Sequence, residues 1–158
     1  MTILLLRRKT MNDNQHLFND LYKNVRMATY GIDCIMDAID NKHLKSLIKK
    51  QNDKYLEYTT TLENISKDLN LEILDINPFL KASSFTSIKM KTMLNAKTTH
   101  LCDMLIQGTT MGITTTLISL VDNPNADSIL VDVANSIRDS EEAFIESLKD
   151  IILLSKQK

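Results

Sequence analysis

The chain predicts an all-α fold: a single up-down-up-down four-helix bundle whose third helical region is broken near residues 95–99. Two observations carry that reading. Apolar residues recur at alternating three- and four-residue steps over long stretches, the spacing that turns one face of a helix toward its neighbours. Glycine (3) and proline (2) are scarce among the 158 residues, whereas a sandwich or barrel needs a turn about every ten residues. A chain of this length makes one domain of ordinary size, with a core that needs neither disulfides nor metals as staples.

The N-terminus stands apart. Thr2 to Leu6 is a short, mostly apolar segment followed by Arg7, Arg8 and Lys9. A secretory signal places its charge before a longer apolar run, and a membrane span needs about 20 apolar residues. Residues 1–10 are therefore expected to form a disordered extension, with Met11 a candidate start and 11–158 the domain. The first helix is expected after Asn12 or Asp13, either of which can cap free backbone N–H groups, and it runs to about Ile39. Its stripe is Phe18, Leu21, Val25, Ala28, Ile32, Ile35 and Ile39. Gly31 lies inside it and costs roughly 1 kcal/mol relative to alanine, which suggests a close neighbour or simple tolerance.

Asp40-Asn41 is a short break, and Asn41 can cap a second helix over Lys42 to Leu69. So short a connection forces an antiparallel pair. The second stripe is Leu44, Ile48, Gln51, Tyr55, Tyr58, Leu62, Ile65 and Leu69. Asn70 to Pro78 is the longest loop; Leu71, Ile73, Leu74 and Ile76 suggest that it folds over an end of the bundle. The third region, Phe79 to about Val121, is too long for one unbroken helix. Asn95 to Thr99 favours caps over helix interiors, giving a short piece near Ala82–Leu94 and a longer one near His100–Leu120. The longer piece carries Leu101, Leu105, Gly108, Met111, Thr115 and Ile118 on one side. Asp122-Asn123-Pro124 ends it. The last helix, about Ala126 to Leu154, has Leu130, Val133, Ile137, Glu141, Phe144, Leu148 and Ile151 on its stripe. No segment is expected to span a membrane.

Charge and cysteine content narrow the function. The formal net charge of -1 supplies no overall positive field for nucleic acid or anionic lipid. Cys34 and Cys102 have no close-spaced partners and read as reduced thiols of a cytoplasmic protein. A bundle of this size raises the question of a di-iron site, which needs a glutamate from each of two helices and Glu-x-x-His from each of the others. No glutamate lies between Leu17 and Ile39, or between Phe79 and Val121. Glu57 and Glu63 are followed three places on by Thr60 and Ser66; Glu141, Glu142 and Glu146 by Phe144, Ile145 and Lys149. No metal and no cofactor is therefore expected. Asp13-x-x-His16 and Asp40-x-x-His43 look like ligand pairs, but each aspartate occupies a helix N-terminal position where an acid is expected. His100 and Cys102, two residues apart on a helix, point apart and cannot share an ion.

Two other groups are candidates. Gln51 and Glu141 interrupt apolar stripes, and with Tyr55 and Tyr58 they can form a buried polar layer, since buried polar groups need hydrogen-bond partners. Such a layer either fixes helix register or lines a pocket for a small ligand or ion. Gly108 and Gly112, four apart, allow another backbone to approach, within the bundle or across a subunit boundary. Lys42, Lys45, Lys49, Lys50 and Lys54 make a basic helix start that reads as a solvated face. It lacks the arginines and aromatic platforms of nucleic-acid readers. There is no phosphate loop, Gly-x-Ser-x-Gly or Cys-x-x-Cys, and no Ser/His/Asp triad can be assembled convincingly.

The first half, from Leu17-Phe18-Asn19-Asp20-Leu21-Tyr22 through Gln51, Tyr55 and Leu62-Glu63, resembles uncharacterised bacterial ferritin-like proteins of unknown function. The segment from His100 to Gly112, with its Gln-Gly-Thr-Thr-Met-Gly ending, resembles one that recurs in related clostridial-type proteins. The resemblance spans roughly residues 12–152 and implies a ferritin-like bundle from a low-GC Gram-positive source. It imports no iron chemistry, because the residues for it are missing. The expected role is a non-catalytic structural or interaction module, a homodimer with no nucleic-acid or membrane partner. The alternative is a bundle that holds a small ligand or metal near Gln51, Tyr58 and Glu141.

Overall fold

The structure, a computed structural model, describes residues 2–157, with the backbone alone for Phe79, Ser84, Phe85, Thr86, Met93, Leu94 and Gln157. It is a helical bundle with no strand among the described residues. The helices are α1 (Ile3–Ile35), α2 (Lys42–Asp68), α3 (Pro78–Leu94), α4 (Thr98–Asp122) and α5 (Ser128–Leu154), with 3-10 turns at Met36–Ala38 and Ser155–Gln157. Asn41 caps α2 as its residue type predicts, its side-chain oxygen accepting from Leu44 N–H at 2.9 Å. Asn70 ends α2 with a φ of 54°, and Leu71 N–H donates back to Ser66 C=O at 2.8 Å. This is the left-handed cap that asparagine, with its short polar side chain, tolerates better than most residues.

Four of the five helices enclose one core. Leu17, Phe18, Leu21 and Val25 of α1 meet Leu44, Ile48, Tyr55 and Leu62 of α2. Leu101 and Cys102 of α4 and Leu130, Ile137, Phe144 and Leu148 of α5 close the other side. The expected stripes of α1, α2 and α5 are thus the ones that face inward, with Ala28, Tyr58, Leu69 and Val133 packed at the core's margin.

Helix direction differs from the expected order. Each of α1 and α5 packs against both α2 and α4. Along α4, Thr116 lies at Asn24, Ser119 at Asp20 and the following Asn125 at Asp13, so α4 descends beside a rising α1. Along α2, Gln51 lies at Ser140 and Tyr58 at Ser136, so α2 and α5 run antiparallel rather than parallel. The bundle helices therefore run up, down, down, up. The break at Asn95 to Lys97 is a reversal, not a kink. The loop before α3 is held at the lower end by Gln15, which donates to Glu72 C=O at 2.9 Å and accepts from Glu72 N–H at 2.9 Å. Helix α3 climbs across α1, where Tyr30 O–H donates to Lys81 C=O at 2.9 Å, and returns the chain to the upper end. Giving α3 and α4 one shared direction, as two pieces of a single third region, is what gives the wrong parity.

Other expectations are corrected as well. Where an extension separate from the first helix is expected, α1 already starts at Ile3, because nothing between Ile3 and Thr10 breaks a helix. Residues 3–10 form an overhang, with Ile3 85% exposed. Asp13 does not cap a helix; its carboxylate accepts from Asn125 N–H at 2.8 Å and from the Asn125 amide at 3.1 Å. In the 70–77 loop only Leu71 packs on the core, while Ile73 and Leu74 are exposed. On α4 the buried residues are Leu101, Cys102, Thr109, Thr116 and Ser119, whereas Met111 and Ile118 of the expected stripe face solvent. By length and composition α4 also qualifies as a membrane span, with a mean hydropathy of 1.4, against the expectation that no segment would.

These burials make a direct forecast. Leu21→Ala, at a fully buried position, should lower unfolding free energy by about 2–5 kcal/mol. Deleting residues 2–9 should change it by less than about 0.5 kcal/mol, as for other exposed positions. Urea denaturation reads both.

Candidate functional site

Mid-bundle, all four core helices meet around one carboxylate. Glu141 of α5 is 1% exposed. Its Oε1 accepts from Asn24 Nδ2 of α1 at 3.1 Å and from the Tyr55 hydroxyl of α2 at 3.2 Å. Its Oε2 lies 3.4 Å from the same Asn24 nitrogen. Gly112 of α4 supplies the fourth wall: a Cβ there would run into the Asn24 amide oxygen and stand 3.1 Å from Glu141 Oε1. Thr116, one turn further along α4, offers its Oγ1 to Asn24 Nδ2 at 3.5 Å. Beside this cluster, Gln51 Nε2 donates to Ser140 Oγ at 3.2 Å, and Ser140 Oγ lies 3.4 Å from Gln51 Oε1.

The electrostatics follow from burial. Desolvation pushes the Glu141 carboxyl up to about 7, with the Tyr55 and Asn24 hydrogen bonds pulling the other way. A buried carboxylate loses hydration that two donors only partly replace. Burial and the Glu141 charge together raise the Tyr55 phenol far above its ordinary value, so it acts as a hydrogen-bond donor and not as a base. Burial pushes the Cys102 thiol up to about 11, which keeps it a thiol and a poor nucleophile.

Of the residues singled out by pattern, the structure brings Gln51, Tyr55 and Glu141 into one layer. Tyr58 lies at its rim and donates to Ser136 C=O at 2.9 Å. The two glycines part company. Gly112 is a close-packing position inside the bundle, whereas a Cβ at Gly108 would meet nothing within 4 Å. Sequence reasoning passes over Asn24 and Ser140. Asn24 sits three places after Leu21 and four before Ala28, so it lies on the apolar stripe just as Gln51 does. A second polar contact, also absent from the sequence reading, joins the lower half of α4 to α1: Ser119 Oγ donates to Asp20 Oδ2 at 2.7 Å. Asn123 Nδ2 donates to Ser119 C=O at 2.8 Å.

The remaining candidates do not converge. Among the described residues no three His, Cys, Asp or Glu side chains gather as ligands to an ion. His16 and His43 are exposed on separate helices. Lys42, Lys45, Lys49 and Lys50 line a shallow surface groove on α2 with Asp53. Another shallow groove lies on the outer face of α5, along Asp139, Glu142 and Glu146. Neither touches the Glu141 layer. No family model, curated protein or solved structure matches this chain, so its residues alone carry its functional reading.

Two substitutions test the packing around Glu141. Gly108→Ala should stabilise by about 0.5–1 kcal/mol, the ordinary helix gain over glycine. Gly112→Ala should instead destabilise by about 1–3 kcal/mol, because the new methyl overpacks against Asn24 and Glu141. Thermal or urea melts of the pair give the two signs.

The raised Glu141 carboxyl also fixes a pH dependence. Its folded value of about 7 exceeds the unfolded value of about 4.3, so the folded state holds the proton more tightly. Its favourable contribution is complete below the unfolded value and is lost as pH climbs toward the folded one. The loss amounts to about 4 kcal/mol at roughly 1.4 kcal/mol per unit. Glu141→Gln, neutral at every pH, should therefore exceed wild type in stability at about pH 8 and lose most of that advantage at about pH 5. Urea denaturation of both proteins at the two pH values checks it.

Proposed function

We propose that this chain is a non-catalytic, ferritin-like helical bundle acting as a structural or protein-interaction module, cytoplasmic and self-associating as a homodimer. Its up-down-down-up order, in which all bundle neighbours are antiparallel and one long connection returns the chain, supports a ferritin-like topology. One observation carries the functional reading. The sole carboxylate in the described core, Glu141, is closed off by Asn24, Tyr55 and Gly112 rather than presented to a ligand. A general acid or base must reach its substrate, and this one is buried with its partners already in place. Its role in this reading is to fix the relative heights of the helices.

The second reading is a small-ligand or ion-binding bundle. It draws on the same carboxyl, held near 7 in a polar layer, since perturbed carboxyls concentrate at functional sites. Native mass spectrometry of the purified protein separates the two. The first reading expects the bare chain mass, or its dimer, and the same adduct-free spectrum for Glu141→Leu. Stoichiometric metal or a retained organic molecule, lost in Glu141→Leu, would establish the second instead.

A further inference from the structure

Helix α1 begins well outside the bundle to which it belongs. Its first buried residue is Asn14, level with the α4–α5 connection, where Asn14 Oδ1 accepts from Asp127 N–H at 2.6 Å. Ile3 to Lys9 are all exposed, and none of them belongs to the core or its margin. Ile3 lies about 15 Å from Asp13 along the axis at roughly 1.5 Å per residue. Packing within the chain explains none of the apolar content of this overhang. Ile3, Leu4, Leu5 and Leu6 stand in solvent, from 44% exposed at Leu5 to 85% at Ile3. Their order matters. At roughly 100° per residue, four consecutive side chains cover every side of a helix, so the tip is apolar all round. A groove or a partner helix takes a stripe instead. Arg7, Arg8 and Lys9 follow at once and spread over more than half of the circumference. Polarity here changes along the helix axis and not around it.

We propose that this overhang is a tip-first anchor for an anionic phospholipid surface. Ile3 to Leu6 enter the acyl boundary, and Arg7, Arg8 and Lys9 rest among the phosphates. A bilayer is the environment whose polarity changes in that order, from an apolar interior to anionic headgroups. The distance also fits. Four residues at 1.5 Å each make a tip about 6 Å deep, within the roughly 5–10 Å to which interfacial segments bury their apolar side. The three cations are unspent within the chain. Among the described residues no carboxylate pairs with them, and the nearest acid along α1, Asp13, is engaged by Asn125. Glu72, in the loop held at Gln15, stands about 12 Å behind Arg7. That exceeds the screening length of about 8 Å in physiological salt. The formal net charge of -1 averages over a cationic tip that meets the surface first, so chain-wide charge reads against a lipid partner. A second copy fits less well. Antiparallel overhangs would lay each apolar tip against the other's cations, and parallel ones would crowd like charges. One short apolar segment with three cations makes attachment reversible and salt-sensitive. Such attachment is independent of self-association.

Flotation of the full chain with vesicles of equal parts phosphatidylcholine and phosphatidylglycerol is the test. Wild type should float with them, stay behind with phosphatidylcholine alone, and be released at about 1 M salt, where the screening length falls to about 3 Å. Two variants, Leu4→Gln/Leu5→Gln and Arg7→Gln/Arg8→Gln/Lys9→Gln, change exposed positions only and should keep the wild-type circular dichroism. Each should partition to the vesicles at least about tenfold less. A depth readout separates insertion from adsorption. The chain has no tryptophan, so Leu4→Trp carries a single reporter. Its emission should shift to the blue on anionic vesicles and be quenched by brominated acyl chains, while that of Met90→Trp, at the opposite end of the bundle, should not change. Wild type that never floats overturns the anchor. Flotation that survives both sets of glutamines places the lipid contact elsewhere and overturns it as well. Flotation lost only with the cations, with the Leu4→Trp emission unmoved, means surface adsorption and overturns insertion. Wild type that does not float but self-associates in sedimentation velocity, when Leu4→Gln/Leu5→Gln does not, assigns the tip to a second copy and overturns the lipid anchor.

Discussion

Burying one carboxylate between four helices sets the terms for the rest of this molecule. A charged or protonated carboxyl in a dry core is tolerable only where donors are already aimed at it. Glu141 meets that condition through Asn24 from α1 and Tyr55 from α2, each reaching Oε1 from a different helix. Sliding any of these helices by one turn would separate the partners by about 5.4 Å and strand the carboxyl. Apolar seams alone permit such slips, since a leucine stripe repeats itself each heptad. Polar layers are a well-attested means of choosing one register among several, at some expense in stability.

The same constraint shapes the inner side of α4. For Asn24 to reach Glu141, the helix beside them must leave room, and Gly112 does so by having no side chain. Thr116 and Ser119 then offer hydroxyls to Asn24 and Asp20, so the inner side of α4 is small and polar between Leu105 and Leu120, which pack against the core. Met111, Ile118 and Val121 face outward. An outward apolar stripe on a surface helix is the kind of feature that marks an interaction face.

Much of the fold is legible in the chain because α1, α2 and α5 are ordinary amphipathic helices, whose three-four stripes fall on the core. The breaks at Asp40-Asn41, Asn95 to Lys97 and Asn123-Pro124 are also visible, since each carries residues that cap or stop helices. Two things are not. Periodicity says which side of a helix is apolar, and for α4 only the Leu101–Leu105 end of that stripe is buried, while Met111 and Ile118 face solvent. Nor does it say whether a break is a kink or a reversal, and on that distinction the direction of every later helix depends. In the polar layer, Gln51 and Glu141 stand out as interruptions of apolar stripes. Asn24 sits between Leu21 and Ala28 with the same signature, yet an asparagine on a stripe's flank is easily taken for surface. Its partner is 117 positions away, a pairing that no local pattern encodes.

Everything turns on Glu141 being held in a closed, desolvated layer by Asn24 and Tyr55. A carbon-13 NMR titration of the Glu141 side-chain carboxyl measures this most directly. The expected midpoint is near 7, moving further up when Asn24→Leu removes a donor to the charged form. A midpoint at the ordinary glutamate value of about 4.3, unmoved by that substitution, would mean that the carboxyl sits in water and that the layer does not exist.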